Sequence, residues 1–89
     1  MPAIQNRELT AISKGEGHVA LTWQLLESET PDTAFFIENM VNGTWCFPTE
    51  EPAVGTAVEF TVEAKGPQQF RVIAPNGTPS ETATVDAFA

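Results

Sequence analysis

The sequence predicts an all-β fold, a two-sheet antiparallel β-sandwich of about seven short strands, and three observations carry that expectation. Turn residues recur at short intervals: Lys14-Gly15-Glu16-Gly17, Glu29-Thr30-Pro31-Asp32, Asn42-Gly43, Pro48 to Pro52, Lys65-Gly66-Pro67 and Asn76-Gly77. Between them lie runs rich in Val, Ile, Phe, Trp and Thr in which apolar and polar residues alternate, the period of a strand with one buried face. No window sustains the i, i+3, i+4, i+7 apolar spacing of an amphipathic helix. The helix formers between Leu21 and Glu29 are interrupted by Thr22 and Trp23 and closed off by Pro31.

A first strand is placed over 7–13 and a second over 18–25. In the second, Val19, Leu21 and Trp23 share one face while His18, Ala20 and Thr22 share the other. A third strand covers 34–41, and a short fourth over 44–47 follows the Asn42-Gly43 turn. The strand over 56–63 alternates Val58, Phe60 and Val62 inward with Ala57, Glu59, Thr61 and Glu63 outward. In 68–75, Phe70, Val72 and Ala74 point inward, and Arg71 and Ile73 outward. The last strand, 80–87, sets Ala83 and Val85 inward against Thr82, Thr84 and Asp86. Asn42-Gly43 and Asn76-Gly77 both read as the dipeptide of a type I′ hairpin turn. Each also opens an N-x-T glycosylation pattern, for which the turn reading is preferred.

The 89 residues are expected to form one domain over 1–89. A chain this short buries only about 60–65% of its unfolded surface, so its two Trp and six Phe must be used well. Four Lys and Arg against twelve Asp and Glu give a net charge of −8. Such a surface repels phosphate backbones and anionic lipid heads, so neither nucleic acid nor membrane is an expected partner. No run approaches the roughly 18 apolar residues of a membrane span. Met1 to Arg7 lacks the charged head and apolar core of a secretory leader, so the chain is read as a small gene product made without one or as a module of a longer protein.

The residue inventory argues against catalysis. One His and one Cys supply no metal set, and no cofactor is expected. Cys46, between Trp45 and Phe47, reads as a small packing residue, and nothing in the sequence pairs it with His18. Glu27-Ser28-Glu29 with Asp32 is a loose echo of a calcium loop and is read instead as a solvated acidic end. Glu50-Glu51 offers adjacent carboxylates without a cleft. Gly43 and Gly77 precede no helix and therefore cradle no phosphate.

The run from Phe70 through Ser80, with Val19-x-Leu21-x-Trp23 upstream, resembles the last hairpin and the second strand of a fibronectin type III domain. The likeness extends over most of the chain. It implies that Phe35 and Ile37 point inward, and that Phe36, Glu38 and Met40 point outward. The implied core is Val19, Leu21, Trp23, Phe35, Ile37, Phe60, Phe70, Val72 and Val85, with Trp23 central and facing Phe70 and Ile37. Two departures stand out. Gln68 occupies the position where the family usually carries a corner Tyr, and the chain has no Tyr; Pro67 beside Gly66 would stiffen that corner instead. The proline-rich connection after Phe47 leaves room for a further edge segment or none. The turn at Asn76-Gly77-Thr78 is not the Arg-Gly-Asp turn of integrin-binding members.

Phe36, Met40, Ile73 and Trp45 or Phe47 are expected to share the outer face of one sheet, where water usually meets polar side chains. A contiguous apolar patch there points to a protein partner, either virion subunits or a second copy. A cell-surface glycan remains compatible with the sequence. Sandwich domains of this kind recur as accessories on tailed-bacteriophage particles. The leading expectation is therefore a structural or adhesive protein on a virion surface, docked to capsid or tail. The alternative is a spacer or binding module of a secreted bacterial glycoside hydrolase or adhesin, and hence extracellular.

Overall fold

The computed structural model of the chain describes residues 7–27, 29–49 and 51–88. Eight strands follow one another: β1 (Leu9–Gly15), β2 (His18–Trp23), β3 (Ala34–Val41), β4 (Thr44–Cys46), β5 (Ala53–Val54), β6 (Ala57–Thr61), β7 (Pro67–Ile73) and β8 (Ala83–Asp86). They form two antiparallel sheets, one ordered β1-β2-β6 and the other β4-β3-β7-β8. β5 joins the second sheet by pairing Val54 with Ala34 and Ala53 with Phe35 at the start of β3. The proline-rich connection thus does hold an edge segment, two residues long.

Turn chemistry sets the registers. Glu16 and Gly17 have φ of 54° and 86° and join the Gly15–His18 pair. Asn42 and Gly43, at 50° and 81°, join Val41 to Thr44. Positive φ at both central residues is the type I′ requirement, and its twist matches that of the flanking strands. Asn76-Gly77 differs from expectation. Only Gly77 has positive φ (89°), and its N–H donates to the Ala74 carbonyl at 2.8 Å while the Asn76 side chain accepts from Thr78 N–H. Pro75 accounts for the change: its ring fixes a negative φ that suits the first central position of a type I turn over 74–77, and this leaves positive φ only at Gly77.

β8 also begins later than expected, at Ala83. Ile73 bridges Pro79 and Phe70 pairs with Ala83, so residues 71–72 oppose three residues, 80–82. Ser80 is buried in that bulge. Its hydroxyl accepts from Val72 N–H at 2.9 Å and donates to the Glu81 carbonyl at 2.9 Å, and Glu81 N–H then reaches the Arg7 carbonyl just before β1. The bulge turns the strand toward β1 and closes that side of the sandwich.

The alternation read from the sequence fills the core. Val19, Leu21, Phe35, Phe70 and Val72 are fully buried, with Ile37, Trp23, Ala53, Ala74 and Ala87 around them. Phe60 and Val85 are half-buried and pack against this cluster. Trp23 does not set its ring against Phe70. It meets Phe35 edge-on at 5.5 Å, whereas Phe70 takes Phe60 at 5.4 Å. Trp23 lies at the end of β2, opposite Leu9, so the aromatic at the start of β3 is its neighbour. Its Nε1–H is the one buried side-chain polar atom among the described residues that lacks a hydrogen-bond partner.

The acidic end is not wholly solvated. Glu29 is only 14% exposed and holds Arg7, itself 5% exposed, in a two-pronged pair at 2.6 and 2.7 Å. Glu29 Oε1 also accepts from Leu26 N–H, Arg7 donates to the Gln24 carbonyl, and the guanidinium lies 4.5 Å from the Phe35 ring centre. A buried carboxylate needs such compensation, and Arg7 supplies it. Glu27 and Asp32 remain exposed.

A candidate interaction face on the outer sheet

β3, β4 and β7 place the expected patch on one surface. Phe36 lies directly opposite Ile73, Glu38 opposite Arg71 and Met40 opposite Trp45. Side chains directly opposite on one face of an antiparallel pair are near neighbours, so these three rows form a continuous strip. Phe47, just beyond β4, turns its ring onto Phe36 at 6.2 Å with the rings 65° apart. Phe36 is 47% exposed and Phe47 64%, while Met40, Trp45 and Ile73 are half-buried.

An ion pair divides the strip. Arg71 Nε donates to Glu38 Oε1 at 2.6 Å, and the guanidinium lies 4.1 Å from the centre of the Trp45 ring. The stack covers one side of the indole, which is why Trp45 is less exposed than Phe47. The sequence reading placed Glu38 and Arg71 outward but did not pair them, because their register depends on how two strands 33 positions apart align. Val54 was also missed. Its partner Ala34 has the parity of Phe36, so Val54 extends the outer face at 61% exposure.

The other candidates fall apart or change role. Cys46 is exposed rather than packed, with its thiol 3.7 Å from the Thr44 carbonyl. His18 belongs to the opposite sheet, so no Cys–His dyad forms. Both Glu29 oxygens are engaged by Arg7, which withdraws that residue from any calcium loop. Glu50 lies outside the described residues.

Charge is distributed unevenly around the face. Each of the four cations has an intramolecular partner: Arg7 with Glu29, Lys14 with Glu59, Arg71 with Glu38, and Lys65 over the Phe88 ring at 6.0 Å. The strip itself, with one carboxylate matched by one guanidinium, is nearly neutral on a body of charge −8. Comparison with protein-family models, with curated proteins and with solved structures finds no match to this chain.

Proposed function

We propose that the chain is a non-enzymatic interaction module, a fibronectin type III-like sandwich that docks on protein through the outer face of β3, β4 and β7. The observation that carries this reading is the exposed Phe36–Phe47 pair, continuous with Ile73, Met40 and Trp45, on a sheet face where water-facing residues are normally polar. The aromatic residues and the Arg71 stack are the residue types that dominate binding energy at protein interfaces. A neutral apolar strip inside an acidic surface suits a partner with an apolar centre and a basic rim. A virion surface, capsid or tail, is the favoured setting, and it rests on analogy between folds.

Phe36→Ser and Phe47→Ser test the docking face. Phe36 is about half exposed and Phe47 largely so, so the melting temperature should stay within a few degrees of the parent. Co-pelleting with virions of the encoding phage, or self-association seen by analytical ultracentrifugation, should be lost. Loss of folding in both variants would place these rings in the monomer core. A parent protein that stays monomeric and pellets with no particle would favour the spacer-module reading.

A further inference from the structure

A second feature lies on the open side of the sandwich, between the free edges of β4 and β6. Both strands are terminal in their sheets, and the residues that follow them leave a cleft of about 330 Å³. Val41, Phe47 and Val62 line its walls, Cys46 lies at one edge and Glu63 at another. Val41 and Phe47 are two of the large apolar side chains the chain leaves exposed. Among the described residues no Lys or Arg lines this cleft.

Asn39 also lines it and is the unusual residue. It occupies an inward position of β3, on the face carrying Phe35 and Ile37, and is 94% buried. A buried amide at a core position must be hydrogen-bonded to be tolerated. Its Nδ2 donates to the Gln69 carbonyl at 3.0 Å and, at 3.5 Å, to Gln68 Oε1. Those bonds fix the amide orientation, because only the nitrogen can donate to a carbonyl. Among the described residues no donor reaches Oδ1. Oδ1 is also not a fully enclosed orphan, since only Trp23 Nε1 is. In a residue that lines the cleft, it is an acceptor held in place with no partner among the described residues.

We propose that this cleft binds a small organic ammonium ion with an apolar body. The apolar walls take the body, Asn39 Oδ1 accepts from the ammonium, and the Glu63 carboxylate favours its positive charge. An anion would meet the Glu63 carboxylate and the Asn39 carbonyl oxygen with no lysine or arginine beside them. The site is distinct in chemistry from the outer face, although Phe47 borders both.

Cys46 provides the readout, since it is the only cysteine and lies at the cleft. The probe is 2-phenylethylamine, with 2-phenylethanol and 3-phenylpropionate as the neutral and anionic controls. A fragment of about nine heavy atoms should bind with Kd on the order of 1 mM. At about four times Kd the alkylation of Cys46 by iodoacetamide should slow about fivefold. The alcohol should protect less and the carboxylate not at all. Asn39→Leu should remove the protection while leaving the basal thiol reactivity. Should Asn39→Leu fail to fold, Ala64→Trp decides, because it fills the cleft from an exposed position and should abolish protection with the melting temperature retained. No protection of the parent, protection persisting in the folded variants, or equal protection by all three compounds would overturn the proposal.

Discussion

Two buried polar groups decide how individual residues respond to substitution. Trp23 contributes its ring to the Phe35 contact, and Trp23→Ala should lower the unfolding free energy by about 3–5 kcal/mol in urea titration. Its unpartnered Nε1–H is a burial cost already borne by the fold, on the order of 1–3 kcal/mol. Trp23→Phe removes that cost along with part of the ring, so its loss should be well below that of Trp23→Ala. Equal losses would show that the indole N–H is satisfied in solution. Arg7 behaves oppositely. Arg7→Ala strands the Glu29 carboxylate at 14% exposure and should cost about 3–5 kcal/mol, whereas Arg7→Met with Glu29→Leu together should cost far less. A double variant as unstable as the single one would mean that the pair positions the 24–33 loop rather than merely neutralising itself. Nothing in the sequence joined Arg7 to Glu29. The contact spans 22 positions and depends on that loop crossing the end of the sandwich, where an acidic cluster otherwise reads as solvated.

At the scale of elements, the strands were legible because their signal is local. Alternation in Val19-Ala20-Leu21-Thr22-Trp23 and in Phe70-Arg71-Val72-Ile73-Ala74 is enough to assign the buried face, and the structure buries those residues as expected. What was not legible depends on competition or on distance. Asn76-Gly77 and Asn42-Gly43 are the same dipeptide, yet Pro75 diverts the first into a type I turn. The bulge at 80–82 answers to the Ser80 and Arg7 contacts, which no periodicity announces. The outer patch was legible as parity on β3 and β7, but its Arg71–Glu38 centre and Val54 depend on register. Glycines differ for similar reasons. Gly17→Ala would place a Cβ 2.5 Å from the Val62 carbonyl oxygen and 3.0 Å from the Phe88 ring, at a φ of 86°. The same change at Gly43 meets open space and only the positive-φ penalty, about 1 kcal/mol. Thermal melts should therefore rank Gly17→Ala well below Gly43→Ala, and equal melting temperatures would mean that the contact with Val62 and Phe88 relaxes without cost.

For the whole molecule, charge is the dominant feature that packing does not settle. All four cations are already engaged, and twelve carboxylates surround a body measuring 42 × 24 × 20 Å. At 10 mM salt the screening length is about 30 Å, so carboxylates repel one another across most of the molecule; at 150 mM it is about 8 Å, and only near neighbours still interact. The ion pairs lose little over the same range. Lys14–Glu59 is more than half exposed on both sides and contributes little to begin with, while Arg7–Glu29 is sheltered from salt by burial. Relief of self-repulsion should prevail, and the melting temperature should rise as NaCl increases from 10 to 150 mM. A relief of about 1 kcal/mol would appear as a rise of about 4–8 °C for a domain of this size. Docking should move the other way, because a partner with a basic rim is attracted most strongly when salt is low. Opposite salt dependences of stability and of docking, measured on one preparation, would show that the same charge opposes folding and favours association. A melting temperature that falls with added salt would show instead that the three ion pairs outweigh the repulsion among the remaining carboxylates.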